Sequence, residues 1–300
     1  MKPRLSLLPP MLAALLVVSA TASAQQTFPS QEAASKALLT ALGMTRADAD
    51  RLSRVFGPDW QAYVPDDNIG RGDVNAFIAR YKEKHVFEPG PEGRTFLVVG
   101  NDAWTFPVPL VSVRDGWAFD PKAGEEEIRT RRIGRNELAV QQAALAYLDA
   151  QIDYASVDRD GDGVLEYAQK FVSTDGKQDG LYWADDGTGD ESPLGPLFGD
   201  ETPEGEWHGY RYRILTAQGP SAPGGAFDYR IGDNMNRGFA MVAWPARYAD
   251  SGVMSVMISH DGDLFEKDLG PDGAQAAMAM TRFDPDSSWK EVASYTSAAP

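Results

Sequence analysis

The first 24 residues set the conditions under which everything after them must fold. Lys2 and Arg4 give a positive start, and Met11-Leu12-Ala13-Ala14-Leu15-Leu16-Val17-Val18 an apolar run. Ala22-Ser23-Ala24 fits the small-x-small pattern that a signal peptidase cuts. The run is shorter than the about 20 apolar residues a membrane helix needs. Residues 1–24 therefore read as a cleaved secretory leader, the alternative being a permanent N-terminal anchor. The mature chain starts at Gln25 and works outside the cytoplasm, away from ready ATP and reduced nicotinamide. It contains no cysteine. An exported chain without cysteine has no disulfides, so packing alone must hold it. Thiol catalysis, cysteine metal sites and a lipid-anchored N-terminus are excluded as well. No later apolar stretch approaches membrane length, so no stable membrane insertion is expected after cleavage.

Charge narrows the partners. Asp and Glu number 44 against 28 Lys and Arg, a formal net charge of −16. Such a chain repels phosphate backbones, which disfavours nucleic acid and anionic lipid and favours divalent cations or basic partners. Hydrophobic residues at 43% are enough for ordinary cores. At about 150 residues per domain, the length corresponds to two.

Residues 25–123 read as helices followed by an antiparallel sheet. Ser30 caps a helix with Ala33, Ala34, Leu38, Leu39 and Leu42 on its apolar face, and Thr45 begins a second that Gly57-Pro58-Asp59 stops. Gly72-Asp73 opens a third, faced by Val74, Phe77, Ile78 and Tyr81. Strands follow at 94–100 and 104–113, with Pro107 and Pro109 weakening the second. Asp115-Gly116 signals a hairpin. This α+β order is similar in layout to the cystatin-like and nuclear-transport-factor-like group. Residues 124–135 form a charged connector, either a linker or a solvated helix with Glu/Arg pairs four apart.

Residues 136–290 read as a second α+β domain, a long helix on an antiparallel sheet. Asn136 caps the helix, and Leu138, Leu145 and Ile152, seven apart, make its buried stripe with Leu148 and Ala155 filling between. Strands are expected at 181–183, 210–215, 227–231, 239–244, 253–259 and 264–266, with a hairpin at His260-Asp261-Gly262-Asp263 and a short helix at 271–280. Residues 291–300 form a polar, fraying tail.

One stretch carries candidate chemistry. Asp158-Arg159-Asp160-Gly161-Asp162-Gly163-Val164-Leu165-Glu166 has the D-x-D-x-D-G spacing of a calcium loop. Calcium takes six to eight oxygens. Asp158, Asp160 and Asp162 can supply carboxylates, Val164 its carbonyl, and Glu166 a direct or water-bridged ligand. The twelfth position holds Gln169 where an EF-hand has glutamate, so the expected site is a shorter, looser loop holding a structural Ca2+. The alternative is a hydrophilic Asp-Gly turn, of which this chain has others at Asp175-Gly176, Asp179-Gly180 and Asp186-Gly187. Weaker candidates are a zinc site at His208 and His260, Ser221 displayed on its Gly/Pro loop, a carboxylate pair for glycan cleavage, and Trp183, Trp207 or Trp244 as sugar platforms.

Long runs also resemble an exported proteobacterial family known as domain of unknown function 2950. They include Arg132-Ile133-Gly134-Arg135-Asn136-Glu137-Leu138, Asp158 to Tyr167, Asp179-Gly180-Leu181-Tyr182-Trp183, Ser192 to Leu197, Tyr212 to Pro220, Gly238 to Pro245 and Glu266 to Gly270. The resemblance covers essentially the whole mature chain and implies a periplasmic protein. It carries over no activity and no catalytic residue. From Asn136 onward, the long helix, the acidic loop, Gly209-Tyr210-Arg211-Tyr212 and a closing Asp-Gly hairpin are also similar to the globular heads of pilins and pseudopilins. The hydrophobic N-terminal helix that packs into a filament is missing. The expected function is a non-enzymatic binding or accessory module whose partner is an envelope protein or cell-wall component. The alternative is a cell-envelope hydrolase with carboxylate catalysis.

Overall fold

Ser30 caps the first helix as its position predicts: its hydroxyl accepts from the Ala33 N–H at 3.1 Å, and α1 runs Gln31–Leu42. The computed structural model describes residues 25–63, 70–184, 191–195 and 205–294. The leader at 1–24, the Asp186-Gly187 turn and the last residues of the expected tail, 295–300, lie outside these. The chain divides into two compact units between Glu126 and Glu127, inside the charged 124–135 segment.

In the first unit α2 is Ala49–Phe56, starting later than expected from Thr45. Asp48 is its cap and accepts from the Arg51 N–H at 3.0 Å; aspartate caps better than threonine. A one-turn helix α3, Trp60–Tyr63, was not foreseen. Helix α4, Arg71–Glu83, buries Val74, Phe77, Ile78 and Tyr81 as its periodicity predicts. The strands are β1 His85–Pro89, β2 Arg94–Val99, β3 Trp104–Thr105, β4 Leu110–Val113 and β5 Gly116–Phe119. They form an antiparallel sheet of order β1-β2-β4-β5, with β3 beside β2. The single strand expected over 104–113 is split at Pro107 and Pro109. Val113 pairs with Gly116, so the tight turn is Arg114-Asp115, one residue before the expected dipeptide. Gly116 has φ +137, and a Cβ there would stand 2.1 Å from the Phe28 carbonyl oxygen. Phe28 and Trp117 exchange both backbone hydrogen bonds, at 2.7 and 2.8 Å. Ahead of Phe28, the Gln25 side-chain amide donates to the Val55 and Phe119 carbonyls at 3.0 and 2.6 Å. The rings of Phe56, Phe77 and Phe119 surround Phe106 within 6.4 Å and join α2 and α4 to the sheet.

Helix α5, Pro121–Tyr154, is continuous through the charged segment, where Arg131 pairs with Glu127 one turn before it. Asn136 is therefore inside a helix and not a cap; its amide donates to the Ser251 carbonyl at 2.8 Å. Glu137 accepts from the N–H groups of Val253 and Met254 at 2.9 and 3.0 Å. The expected stripe is corrected in part: Leu148 is buried as expected, but Leu138 and Ile152 are 65% and 53% exposed. The buried face is Val140, Ala144, Tyr147, Leu148, Gln151 and Tyr154. A strict seven-residue repeat drifts about 20° per heptad around a straight helix, and the face that meets the core is set by two tyrosines and small residues.

The remaining strands of the second unit are β6 Tyr210–Leu215, β7 Ala217–Gln218, β8 Phe227–Asp228, β9 Arg230–Ile231, β10 Asn234–Met235, β11 Ala240–Pro245, β12 Met254–Ser259, β13 Asp263–Asp268 and β14 Lys290–Ser294. The main sheet is antiparallel, β14-β13-β12-β11-β6, and β7–β8 and β9–β10 are small ribbons. Every residue of β11 is buried. The Tyr147 hydroxyl donates to the Ala240 carbonyl at 3.1 Å from α5. Arg213, paired with Val242, reaches the Met278 carbonyl of α6, Gly273–Ala279. Three expectations change here. The strand at 181–183 is a single bridge from Tyr182 to Val172. The strand at 227–231 is interrupted by Tyr229, which turns inward to donate to Gln218 Oε1 at 3.0 Å. The tail pairs with β13 as far as Ser294.

The two faces of α5 give a direct check. Leu148→Ala should destabilise the second unit by about 2–5 kcal/mol. Ile152→Ala should stay within about 0.5 kcal/mol. Urea unfolding followed by tryptophan fluorescence reads both; comparable losses would place the buried face on the wrong side.

Candidate metal centre

After α5 the chain must turn back towards the sheet, and Asp-Gly pairs make the turn. Gly161 and Gly163 have φ +79 and +86, a region L side chains rarely adopt. Each aspartate folds onto the backbone ahead of it. Asp158 accepts from the Gly161 N–H at 2.8 Å with Oδ1 and from the Gly163 N–H at 3.0 Å with Oδ2. Asp160 accepts from the Asp162 N–H at 3.2 Å, and Asp162 from the Val164 N–H at 2.8 Å. The carboxylates of Asp158, Asp160 and Asp162, all exposed, converge so that one oxygen of each lies within 4.8 Å of the others. An ionised carboxylate has about four acceptor positions. One or two backbone bonds per residue therefore orient these groups without exhausting them.

Glu166 lies outside that converging set but feels it. Burial raises its pKa, the Met235 N–H opposes the rise, and the negative charges of Asp160, Asp162 and Asp158 add to it. Asp158 shifts the other way, held below the ordinary aspartate value by the N–H groups of Gly161 and Gly163. Val164 is half-buried, its N–H committed to Asp162. Gln169, at the twelfth position, turns away and donates to the Asp233 carbonyl at 2.6 Å.

The loop is clasped by the β9–β10 ribbon. Asn234 Nδ2 donates to Asp162 Oδ2 at 2.6 Å, and the Tyr167 N–H donates to the Met235 carbonyl at 2.7 Å. Asn234 is a neighbour of the loop to which the sequence did not point. Its only local signal is the Gly232-Asp233 turn before it.

Asp160 and Glu166 also line a cleft of about 930 Å³ whose other walls include Tyr154, Arg159, Lys177 and Trp183. The Arg159 guanidinium lies between two rings, 5.0 Å from the centre of Tyr154 and 4.8 Å from that of Trp183, and donates to Gln178 Oε1 at 3.3 Å. Burial pushes Tyr154 up to about 12, with the charge of Glu166 adding to the shift. On the facing loop, burial would raise Asp179, but the Lys170 ammonium and Thr174 outweigh it and bring it down to about 2.

The weaker candidates are placed elsewhere. His208 lies against Trp207, and His260 against Tyr229 and Phe239. Among the described residues, no further trio of His, Asp or Glu converges. Ser221 is exposed, its N–H held by Asp284 at 2.8 Å. Trp183 and Trp244 are buried in the core of the second unit.

The chain belongs to the family described as protein of unknown function (DUF2950), whose model matches residues 25–292. No curated protein and no solved structure matches it.

The two shifted carboxyls of the loop give opposite pH signatures. Asp158 releases its proton more readily in the native chain, so its contribution to stability is present above 3.8 and is lost as pH falls through its lowered value. Glu166 holds its proton more tightly when folded, so it favours the fold in acid and costs stability above its raised value. Carboxyl-detected NMR titration should place the Asp158 midpoint below 3.8 and that of Glu166 above 4.5. A Glu166 midpoint at or below 4.5 would contradict the burial that the structure gives it.

Proposed function

We propose that this chain is an exported, non-enzymatic binding or accessory module of the cell envelope, working in the periplasm and stabilised by one calcium ion. The observation that carries the reading is the convergence of Asp158, Asp160 and Asp162 within 4.8 Å, each oriented by backbone N–H groups. Three like charges that close repel. A divalent cation turns that cost into stabilisation and satisfies the charge excess of an acidic chain. In this reading the Val164 carbonyl and Glu166 complete the oxygen set, directly or through water. The ion is structural: it fastens the end of α5 to the β9–β10 ribbon through Asp162 and Asn234. The leader at 1–24 supplies export. No helix among the described residues is long and apolar enough to cross a membrane. The cystatin-like layout of the first unit and the pilin-head layout of the second belong to the same reading. So does a partner among envelope proteins or cell-wall components.

A second reading, an envelope hydrolase using carboxylates, is favoured by one feature: Asp160 and Glu166 both face the 930 Å³ cleft. The two readings separate on activity. Release of fragments from peptidoglycan by purified protein, abolished in Glu166→Gln, would replace the binding module with an enzyme.

Calcium is tested by a thermal melt of the mature protein in chelator and in millimolar calcium. A ligand at 100 times its Kd adds about 2.7 kcal/mol, a rise of about 5 °C or more in a unit of this size. The Asp160→Ala, Asp162→Ala double variant should lose the rise and melt alike in both conditions. An unchanged melt of the unaltered protein would leave a hydrophilic turn.

A further inference from the structure

A second cluster of titratable groups lies in the first unit, where α1, α4 and β1 meet. Helix α4 leaves its last four carbonyls without intrahelical partners. The Lys84 N–H takes that of Arg80 at 3.0 Å. The carbonyl of Tyr81 faces His85 Nδ1 at 3.0 Å. The other ring nitrogen, Nε2, faces Glu32 Oε2 of α1 at 3.1 Å. The imidazole is stacked on the Tyr81 ring, centroids 3.9 Å apart and planes within 8°. The remaining oxygen of Glu32 pairs with Lys36 at 3.1 Å, and the Tyr81 hydroxyl lies 2.8 Å from the buried Ser35 hydroxyl. From β2 the residue opposite His85 is Val99, which carries no charge, and Phe87 stands edge-on along β1.

A carbonyl and an ionised carboxylate are both acceptors. A hydrogen bond at each ring nitrogen therefore requires a proton on each. We propose that Glu32, Tyr81 and His85 form a pH-sensitive clasp that ties α1, α4 and β1 together when the imidazole is doubly protonated. The neutral ring keeps one N–H, so either the end of α4 or Glu32 loses its donor. The His85 side chain is 29% exposed, which gives protons access and lets water replace the lost partner. The clasp also opens on the acid side. Glu32 is held below its ordinary value by the Lys36 hydrogen bond first and by His85 as well, against some burial. Its contribution is present above 4.5 and is lost as pH falls through the lowered value. The clasp is complete in the mildly acidic window between carboxylate and imidazole titration.

The test is NMR of the full mature chain with labelled histidine, at about pH 5.5 and about pH 8, either side of ordinary histidine titration. The expected result is two protonated ring nitrogens on His85 at the lower pH. Base-corrected hydrogen exchange at the end of α4 should rise about threefold between the two conditions, as for a partly exposed pair. Glu32→Gln keeps an acceptor but removes the charge, and should flatten the pH dependence of exchange, an effect that a packing role alone would not produce. His85→Gln should remove the pH dependence of exchange. A bare Nδ1 or Nε2 on His85 at the lower pH, or an unchanged pH dependence of exchange in Glu32→Gln, would overturn the clasp even if His85→Gln fails to fold.

Discussion

One side chain fixes the geometry on which most of the second unit depends. Gln151 is buried in α5 and treats Ala168 as a neighbouring strand would. Its Oε1 accepts from the Ala168 N–H at 2.8 Å, and its Nε2 donates to the Ala168 carbonyl at 2.8 Å. The same Nε2 donates to Tyr147, whose hydroxyl continues to β11. The segment from 156 to 184 contains almost no regular secondary structure, and its buried backbone groups must still find partners. Gln151 supplies two of them without a sheet. The acidic loop is thereby suspended between two fixed points, the last turn of α5 and Ala168.

This suspension explains why three carboxylates can stand together in a chain already carrying −16. The charges are gathered by local geometry and not by attraction. Backbone N–H groups at Gly161, Asp162, Gly163 and Val164 point at them, an arrangement that fixed partial charges favour. Arg159, the cation within the loop, lines the same cleft as Asp160 and Glu166. Its guanidinium stacks against Tyr154 and Trp183 and donates to Gln178, which builds the aromatic side of the cleft.

Much of this was legible where the cause is local. The cap at Ser30, the face of α4, the β4–β5 and β12–β13 hairpins and the D-x-D-x-D-G loop all follow from residues within a few positions of one another, whereas the second helix starts at the Asp48 cap and not at Thr45. What could not be read depends on distant partners or on residues whose role is ambiguous alone. Aliphatic spacing pointed to Leu138 and Ile152, whereas tyrosines and a glutamine mark the true inner face of α5. Strand β14 is polar because it is an edge, which in sequence looks like a tail. Strand β1, with exposed Val86 and terminal Pro89, is hidden for the same reason. Asn234 sits 72 residues from Asp162, too far for any motif to associate them.

The opening residues of the first unit have a bearing on when the fold can close. Gln25 is held by Phe119, 94 positions further along, and Phe28 by Trp117. A chain made from its N-terminus produces these first residues long before β5 exists to receive them. Contacts of such separation are slow to form, because the intervening loop must first be brought together. These residues are therefore made well before the strand that receives them and are among the last parts of the unit able to settle.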